Sequence, residues 1–194
     1  MGKHRNSTAI GRATRIFVFS ILIVWSGPRA VACGYHDNVS LARGLLNWTY
    51  PDALHVVGAI STAVAERRLA APATGRGGLG YYGTVRVLDR HAEQLRMSSS
   101  GMPGLTFSLL LIEPMLWTRF VSEGGDVRPQ VHVSGPNAGD LVVISGEDVI
   151  REIAHDRLSF GEAYRQGLIR LYGTEEQVRL FLTRHDQVGS AHLE

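Results

Sequence analysis

Cys33 and His36, in the segment Cys33-Gly-Tyr-His36, are the residues whose types and spacing most clearly suggest chemistry. A thiolate and an imidazole are soft or borderline ligands that suit copper and zinc. Asp52 and His55 lie three residues apart at the start of a predicted helix, so they share one face and could complete a four-ligand shell. One interpretation is therefore a copper or zinc site at Cys33, His36, Asp52 and His55. The simpler alternative is a tether beside a helix-capping aspartate.

The sequence contains no recognisable catalytic constellation. It lacks a Gly-x-Ser-x-Gly nucleophile elbow. The paired acids Glu147-Asp148 and Glu175-Glu176 fall in the first turns of predicted helices, where the helix dipole already accounts for them. The histidines at 91, 132, 155 and 185 are scattered along the chain. We therefore predict a protein that is not an enzyme and needs no cofactor.

The distribution of charge excludes a general nucleic-acid binder. The chain of 194 residues has 20 Lys and Arg against 18 Asp and Glu, but five of the bases lie in residues 1–32, which contain no acid. The remainder has 15 bases and 18 acids. A surplus of cations is needed to displace counterions from phosphate, and this part of the chain has none.

The first 32 residues have the organisation of a secretory signal peptide. A basic segment precedes the apolar run from Ile16 to Trp25, and small residues follow at Ala30-Val31-Ala32. We predict cleavage after Ala32 and a periplasmic or secreted protein; a retained membrane anchor is the alternative. The lone Cys33 then begins the mature chain, as the lipidated cysteine of bacterial lipoproteins does. Cleavage without a lipid, lipidation that tethers the protein to a membrane, and an inert thiol all remain open.

The rest of the chain predicts an α+β fold. We divide it into a helical segment at 33–104, with a glycine-rich linker, and an α+β portion at 105–194. Apolar spacing predicts helices at about 53–69 and 84–97, the second capped by Thr84. Strands are expected at 107–112, 115–121, 130–133, 141–144 and 168–172. Three capping boxes predict helices near 147–155, 160–166 and 175–184, and they begin at Ser145, Ser159 and Thr174.

The segment from Gly139 to Gly173 resembles sterol-carrier-protein-like domains of the type-2 family. The resemblance rests on an aspartate that opens a strand, Asp140, on Ala163 and Gly167 four residues apart, and on Gly173 after the closing strand. It covers roughly residues 105–182. The chain departs from the family pattern at Asp156-Arg157, where a glycine is usual. The family implies a curved mixed sheet of about five strands, backed by helices, around an apolar tunnel for lipids or acyl chains.

The sequence supplies apolar side chains for such a pocket, although the same residues could simply pack a solid core. The candidates are Leu109, Leu111, Trp117, Phe120, Val142, Ile144, Phe160, Leu171 and Phe181. The predicted function is an exported carrier of an apolar small molecule. The alternatives are a periplasmic metal-binding or metal-delivery protein, and an accessory protein that docks on an exported enzyme through the helices of 33–98.

Overall fold

The computed structural model describes residues 40–70, 80–98 and 105–190. It is an α+β fold whose five-stranded mixed sheet is open, with six helices among these residues. The helices are α1 (Ser40–Thr49), α2 (Ala53–Ala65), α3 (Gly80–Ser98), α4 (Glu147–Ala154), α5 (Phe160–Arg165) and α6 (Glu175–His185). The strands are β1 (Phe107–Leu111), β2 (Leu116–Glu123), β3 (Asp126–Val131), β4 (Leu141–Ser145) and β5 (Ile169–Tyr172).

The sheet has the order β3-β2-β1-β4-β5. Strands β1, β2 and β3 form an antiparallel meander, whereas β4 pairs parallel with β1 and antiparallel with β5. Every residue of β1 and β4 is buried, and β3 has exposed positions at one edge. Because central strands that are covered on both faces need apolar residues throughout, the continuous apolar runs of β1 and β4 belong at the centre of the sheet.

Strand alternation assigns every side chain to one of two faces. We call the face of Phe107 the helix face, because α3 and α6 contact it: the ring of Phe181 lies 4.9 Å from Phe107, and that of His91 lies 5.7 Å from Phe120. We call the other face the outer face. Part of it is covered by α1 and α2, since Tyr50, between these helices, packs 6.0 Å from Trp117.

Several sequence predictions are confirmed and others are wrong in detail. The helices at α4, α5 and α6 lie where the sequence places them, and Gly167 is left-handed after α5, as expected. Helix α1 was not anticipated, and α3 begins four residues before Thr84. Strand β3 occupies 126–131, not 130–133. Pro129 lies within it, which is tolerated because β3 is an edge strand.

The three predicted capping boxes have three different outcomes. At α6, the side chains and backbones of Thr174 and Gln177 form the complete box. At α5, the Ser159 hydroxyl accepts a hydrogen bond from the backbone of Glu162, but the return bond is not made. At α4 the prediction is wrong: Gly146 is the N-cap, and Ser145 donates its hydroxyl proton to the carbonyl of Leu168.

Candidate functional site

The nine predicted pocket residues are all buried or half-buried, but they lie on both faces of the sheet. By register, Val142 and Ile144 share the outer face with Trp117. The other six line the helix face or project towards it from helices, and they are Leu109, Leu111, Phe120, Phe160, Leu171 and Phe181. These six residues and their neighbours form the larger apolar interior.

An aromatic layer fills the space between the helix face and the helices. The rings of Phe107 and Phe120 stack at 4.8 Å with an angle of 11° between their planes. Phe181 of α6 meets Phe107 edge-on at 4.9 Å and Phe160 of α5 at 5.2 Å. All four rings are almost completely buried. Aromatic pairs in such geometries add to the stabilisation from burial, so these contacts hold α5 and α6 on the sheet.

Two histidines lie in the same interior. His91 of α3 and His185 of α6 are 1% and 2% exposed. His185 Nδ1 lies 3.0 Å from the carbonyl oxygen of Phe181, whereas His91 Nδ1 has no hydrogen-bond partner among the described residues. Burial is the main cause that lowers the pKa of each histidine to about 4. Because more than ninety residues separate the two histidines in the chain, no local pattern indicates that they share one core.

A buried acidic cluster joins the helix layer to the ends of the parallel strands. Glu147 is 3% exposed, and its Oε1 accepts hydrogen bonds from the hydroxyl of Thr84 at 2.9 Å and from Arg151 at 2.7 Å. Arg151 also pairs with Asp148. Glu113 accepts a bond from the backbone N–H of Glu147, and burial is the main cause that raises the pKa of Glu113. The helix dipole alone therefore does not account for Glu147 and Asp148, because both carboxylates are also held by specific donors.

The outer face becomes polar towards β3. Asp140 accepts hydrogen bonds from Ser108 at 2.7 Å and from the guanidinium of Arg119 at 3.0 and 3.2 Å. A shallow depression of about 250 Å³ lies beside this group and is lined by Val121, Glu123, Asp126, Arg128 and Gln130. Its charged lining does not suit an apolar ligand. The candidate site for such a ligand is therefore the larger apolar interior between the helix face and the helices.

The structure describes two of the four predicted metal ligands, Asp52 and His55. Asp52, in a left-handed conformation at the start of α2, lies 3.5 Å from Nδ1 of His55. Both side chains are largely exposed. Cys33 and His36 lie outside the described residues. Within the described ranges, no group of three His, Cys, Asp or Glu residues has the geometry for a metal ion.

Helices α1 and α2 expose several large apolar side chains, among them Val57, which its spacing places in an apolar stripe. Trp48 is 87% exposed and Leu45 is 55% exposed, and both belong to α1. Leu54 and Val57 of α2 are 40% and 42% exposed. In the described ranges 40–70, 80–98 and 105–190, no helix is long and apolar enough to cross a membrane.

Comparison with known proteins gives only distant likenesses. No family model and no curated protein matches the chain. Among solved structures, sterol carrier protein 2 like 2 from Aedes aegypti is 16% identical, with a TM-score of 0.39; the match covers 53% of this chain and 97% of that one. A conserved hypothetical protein from Thermus thermophilus, for which a sterol carrier protein is the suggested identity, is 16% identical with a TM-score of 0.38. The match covers 62% of this chain and 89% of that one.

A third likeness is to an enzyme. The inverting sec-alkylsulfatase Pisa1 from Pseudomonas sp. is 17% identical with a TM-score of 0.34 over 50% of this chain. The match spans only 14% of the sulfatase chain. At these scores and identities the three likenesses do not decide what this chain binds or whether it is a catalyst.

Proposed function

We propose that the protein is an exported carrier that binds a lipid or another acyl-chain compound, without catalysis, between the helix face of the sheet and helices α5 and α6. The observation that carries the proposal is the aromatic layer, in which Phe181 of α6 rests on Phe107 of β1 and Phe160 of α5. The sequence resemblance at 105–182 to sterol-carrier-protein-like domains supports the same location.

Apolar contacts of this kind can be exchanged for contacts with a ligand. They are non-directional, so an acyl chain that enters between α6 and the sheet replaces one apolar surface with another and leaves no polar group unpaired. Each methylene group removed from water contributes about 0.8 kcal/mol. The affinity of the protein should therefore rise with the length of the acyl chain until that chain has replaced all the contacts between α6 and β1.

The proposed mechanism is sequestration alone. Most of the residues that surround the site are apolar, with His91, His185 and Thr118 as buried polar neighbours, and the apolar residues hold the ligand by excluding water from it. No bond of the ligand is formed or broken. Release requires that α5 and α6 move away from the sheet, and the short helix α5, which is followed by the left-handed Gly167, is the element of this layer with the fewest turns.

Two adjacent leucines provide the test. Leu109 and Leu110 follow each other in β1 and are both at most 1% exposed, but Leu109 faces the helix layer and Leu110 the outer face. Leu109→Ala and Leu110→Ala each leave a void and destabilise the fold by about 2–5 kcal/mol. We expect only Leu109→Ala to change the affinity for a series of fluorescent fatty acids of increasing chain length. If either alanine variant does not fold, Leu109→Val and Leu110→Val replace the alanine variants in this comparison.

The outcomes of this test are distinct. A shift in chain-length preference for the Leu109 variant, with wild-type behaviour for the Leu110 variant, supports a site under α5 and α6. Equal changes in both variants would show that the affinity follows stability and not contact. Failure of the wild-type protein to take up any fatty acid or sterol probe would remove the proposal.

Export is a separate part of the proposal. It rests on the basic segment, the apolar run Ile16–Trp25 and the small residues Ala30-Val31-Ala32. Intact mass measurement of the protein recovered from cell fractions reports the cleavage position and any lipid on Cys33. A protein found in the cytoplasm at its full length would contradict export.

Metal binding is a second candidate, favoured by the approach of His55 to Asp52. The two side chains would supply one nitrogen and one oxygen ligand, and Cys33 and His36 would have to supply the others. Copper or zinc titration of the Cys33→Ser/His36→Ala variant tests this candidate. Unchanged affinity would eliminate it, and lipidation of Cys33 would do the same because it consumes the thiol.

A further inference from the structure

The exposed apolar side chains of the described residues are concentrated in one short stretch. Six large apolar residues are exposed in these ranges, and four of them lie between positions 45 and 57. We call these four, Leu45, Trp48, Leu54 and Val57, the α1–α2 surface. The other two are Tyr82 and Met97 of α3. Single exposed apolar residues are normal on a protein surface, but a concentration of this kind marks an interaction site.

The end of α1 and the start of α2, which carry these side chains, lie next to each other. Leu45 and Trp48 are three residues apart on α1, as are Leu54 and Val57 on α2, so each pair shares one side of its helix. The backbone N–H of Leu54 donates to Oδ1 of Asn47 at 3.4 Å, which brings the end of α1 against the start of α2.

The inner sides of the same helices are apolar as well. Leu46 of α1 and the residues of α2 that point inward, namely Ala53, Val56, Ile60 and Ala63, are buried. Helix α2 contains no Asp, Glu, Lys or Arg. Large apolar side chains are exposed only in the first half of α2, beside His55, whereas Ser61 and Thr62 are exposed in its second half. A helical segment that is apolar on both sides is normally covered on both sides. The inner side of these helices packs on the rest of the fold. We therefore expect the exposed α1–α2 surface to be covered as well.

The charges of this region fit a lipid surface better than a protein partner. From Ser40 to Ala65 the chain has one acid, Asp52, one arginine, Arg43, and one histidine, His55; further charges come only at 66–68, after the end of α2. Protein interfaces have a polar rim that supplies hydrogen bonds and ion pairs, and this stretch provides very few charges for one. Tryptophan, the most exposed member of the surface, is enriched where a membrane meets water because its ring is apolar and its N–H needs a polar partner.

A lipid or an anchor in the preceding chain, which belong to the proposal of export, would also keep this surface near a membrane. Cys33 precedes Ser40 by seven residues, which can span at most about 25 Å even when fully extended. Both a lipid on Cys33 and a retained anchor at Ile16–Trp25 would hold α1 beside the bilayer. We infer that the α1–α2 surface inserts into the interface of a lipid bilayer, with Trp48 at the depth where the headgroups meet the acyl chains. This inference does not depend on the carrier function.

The three tryptophans allow a direct test. The full chain is reconstituted with phosphatidylcholine–phosphatidylglycerol vesicles whose acyl chains carry bromine, which quenches nearby tryptophan. Trp25→Phe/Trp117→Phe leaves Trp48 as the reporter, and Trp25→Phe/Trp48→Phe leaves the buried Trp117. We expect loss of emission and a blue shift for Trp48, and neither for Trp117. Circular dichroism confirms that each variant is folded.

An exposed aromatic residue elsewhere on the protein distinguishes oriented insertion of the α1–α2 surface from unoriented binding of the protein to vesicles. Tyr82 is an aromatic residue of α3 that is 65% exposed. In a chain that lacks the three native tryptophans, Tyr82→Trp should not be quenched. Equal quenching at positions 48 and 82 would mean adsorption without orientation and would overturn the inference.

The remaining outcomes also overturn it. Trp48 that stays unquenched and open to acrylamide in the presence of vesicles would show that the surface does not meet lipid. Trp48 that is shielded from acrylamide before vesicles are added would show that a protein covers the surface, either another part of this chain or a second copy.

Discussion

The hydroxyl of Tyr172, in the edge strand β5, donates a 2.6 Å hydrogen bond to the backbone carbonyl oxygen of Pro51, 121 residues earlier. The same ring packs edge-on against Tyr50 at 5.1 Å, and Tyr50 in turn contacts Trp117 of β2. The turn between α1 and α2 is thus attached to two strands of the sheet. This attachment fixes the position of the helices that carry the α1–α2 surface.

Removing the Tyr172 hydroxyl should loosen that attachment. We expect Tyr172→Phe to lower the free energy of unfolding by about 0.5–1.5 kcal/mol, since the ring contacts remain and one hydrogen bond is lost. Urea denaturation measures the change. Tyr82→Phe, at an exposed position, is the control and should leave stability unchanged. A loss of the same size in both variants would mean that the bond to Pro51 contributes nothing.

The buried histidines should make the protein less stable in mild acid. In the unfolded chain His91 and His185 titrate near pH 6.5, whereas burial lowers their pKa in the folded protein to about 4. Between these values the unfolded state binds more protons. The stability is therefore fully present above pH 6.5 and falls as the pH decreases towards 4, by about 1.4 kcal/mol per pH unit for each histidine.

Denaturation curves at several pH values between 4 and 7 test this expectation. His91→Leu and His185→Leu should each reduce the slope of the free energy of unfolding against pH by about 1.4 kcal/mol per pH unit, the contribution of one bound proton. If the leucine variants lose stability with falling pH as steeply as the wild type, the buried histidines are not responsible.

The carboxylate of Asp140 should matter more than a similar pair on the surface. Burial by itself raises its pKa, but hydrogen bonds from Ser108 and Arg119 outweigh burial and hold the pKa below its usual range. Its contribution to stability is present above the unfolded value and is lost as the pH falls through the folded pKa. We expect Asp140→Asn to cost about 1.5–3 kcal/mol at neutral pH, because a charged acceptor is removed from a largely buried site.

Asp126→Asn is the comparison, because Asp126 pairs with the exposed Arg128 at the edge of the sheet. Exposed ion pairs contribute little, so the midpoint of urea denaturation should not move measurably. Equal losses in the two variants would show that Asp140 acts as an ordinary surface charge.

Local signals predicted the elements of the second half well. The box formed by Thr174 and Gln177 is complete in four residues, so nothing distant can change it. Ser145 failed as a cap because its hydroxyl finds the carbonyl of Leu168, a partner 23 residues away. The fold class was predictable from the order of helices and strands, and the five-stranded mixed sheet confirms it.

The candidate site was predictable in residue type but not in arrangement. Leu109 and Trp117 are both apolar and both buried, and only the register of β1 with β2 shows that they lie on opposite faces. Helix α1 was missed because Gly44 and Asn47 weaken its helical signal, while its packing through Tyr50 is a tertiary contact. The burial of His91 and His185 in one core depends on how α3 and α6 are placed on the sheet.

The most direct measurement of the carrier function is native mass spectrometry of the protein recovered from the cells that make it. We predict a population with a non-covalent organic adduct of acyl-chain or isoprenoid mass, lost on activation and weakened in Leu109→Ala but retained in Leu110→Ala. A bare mass that stays bare after incubation with fatty acids and sterols would contradict the account.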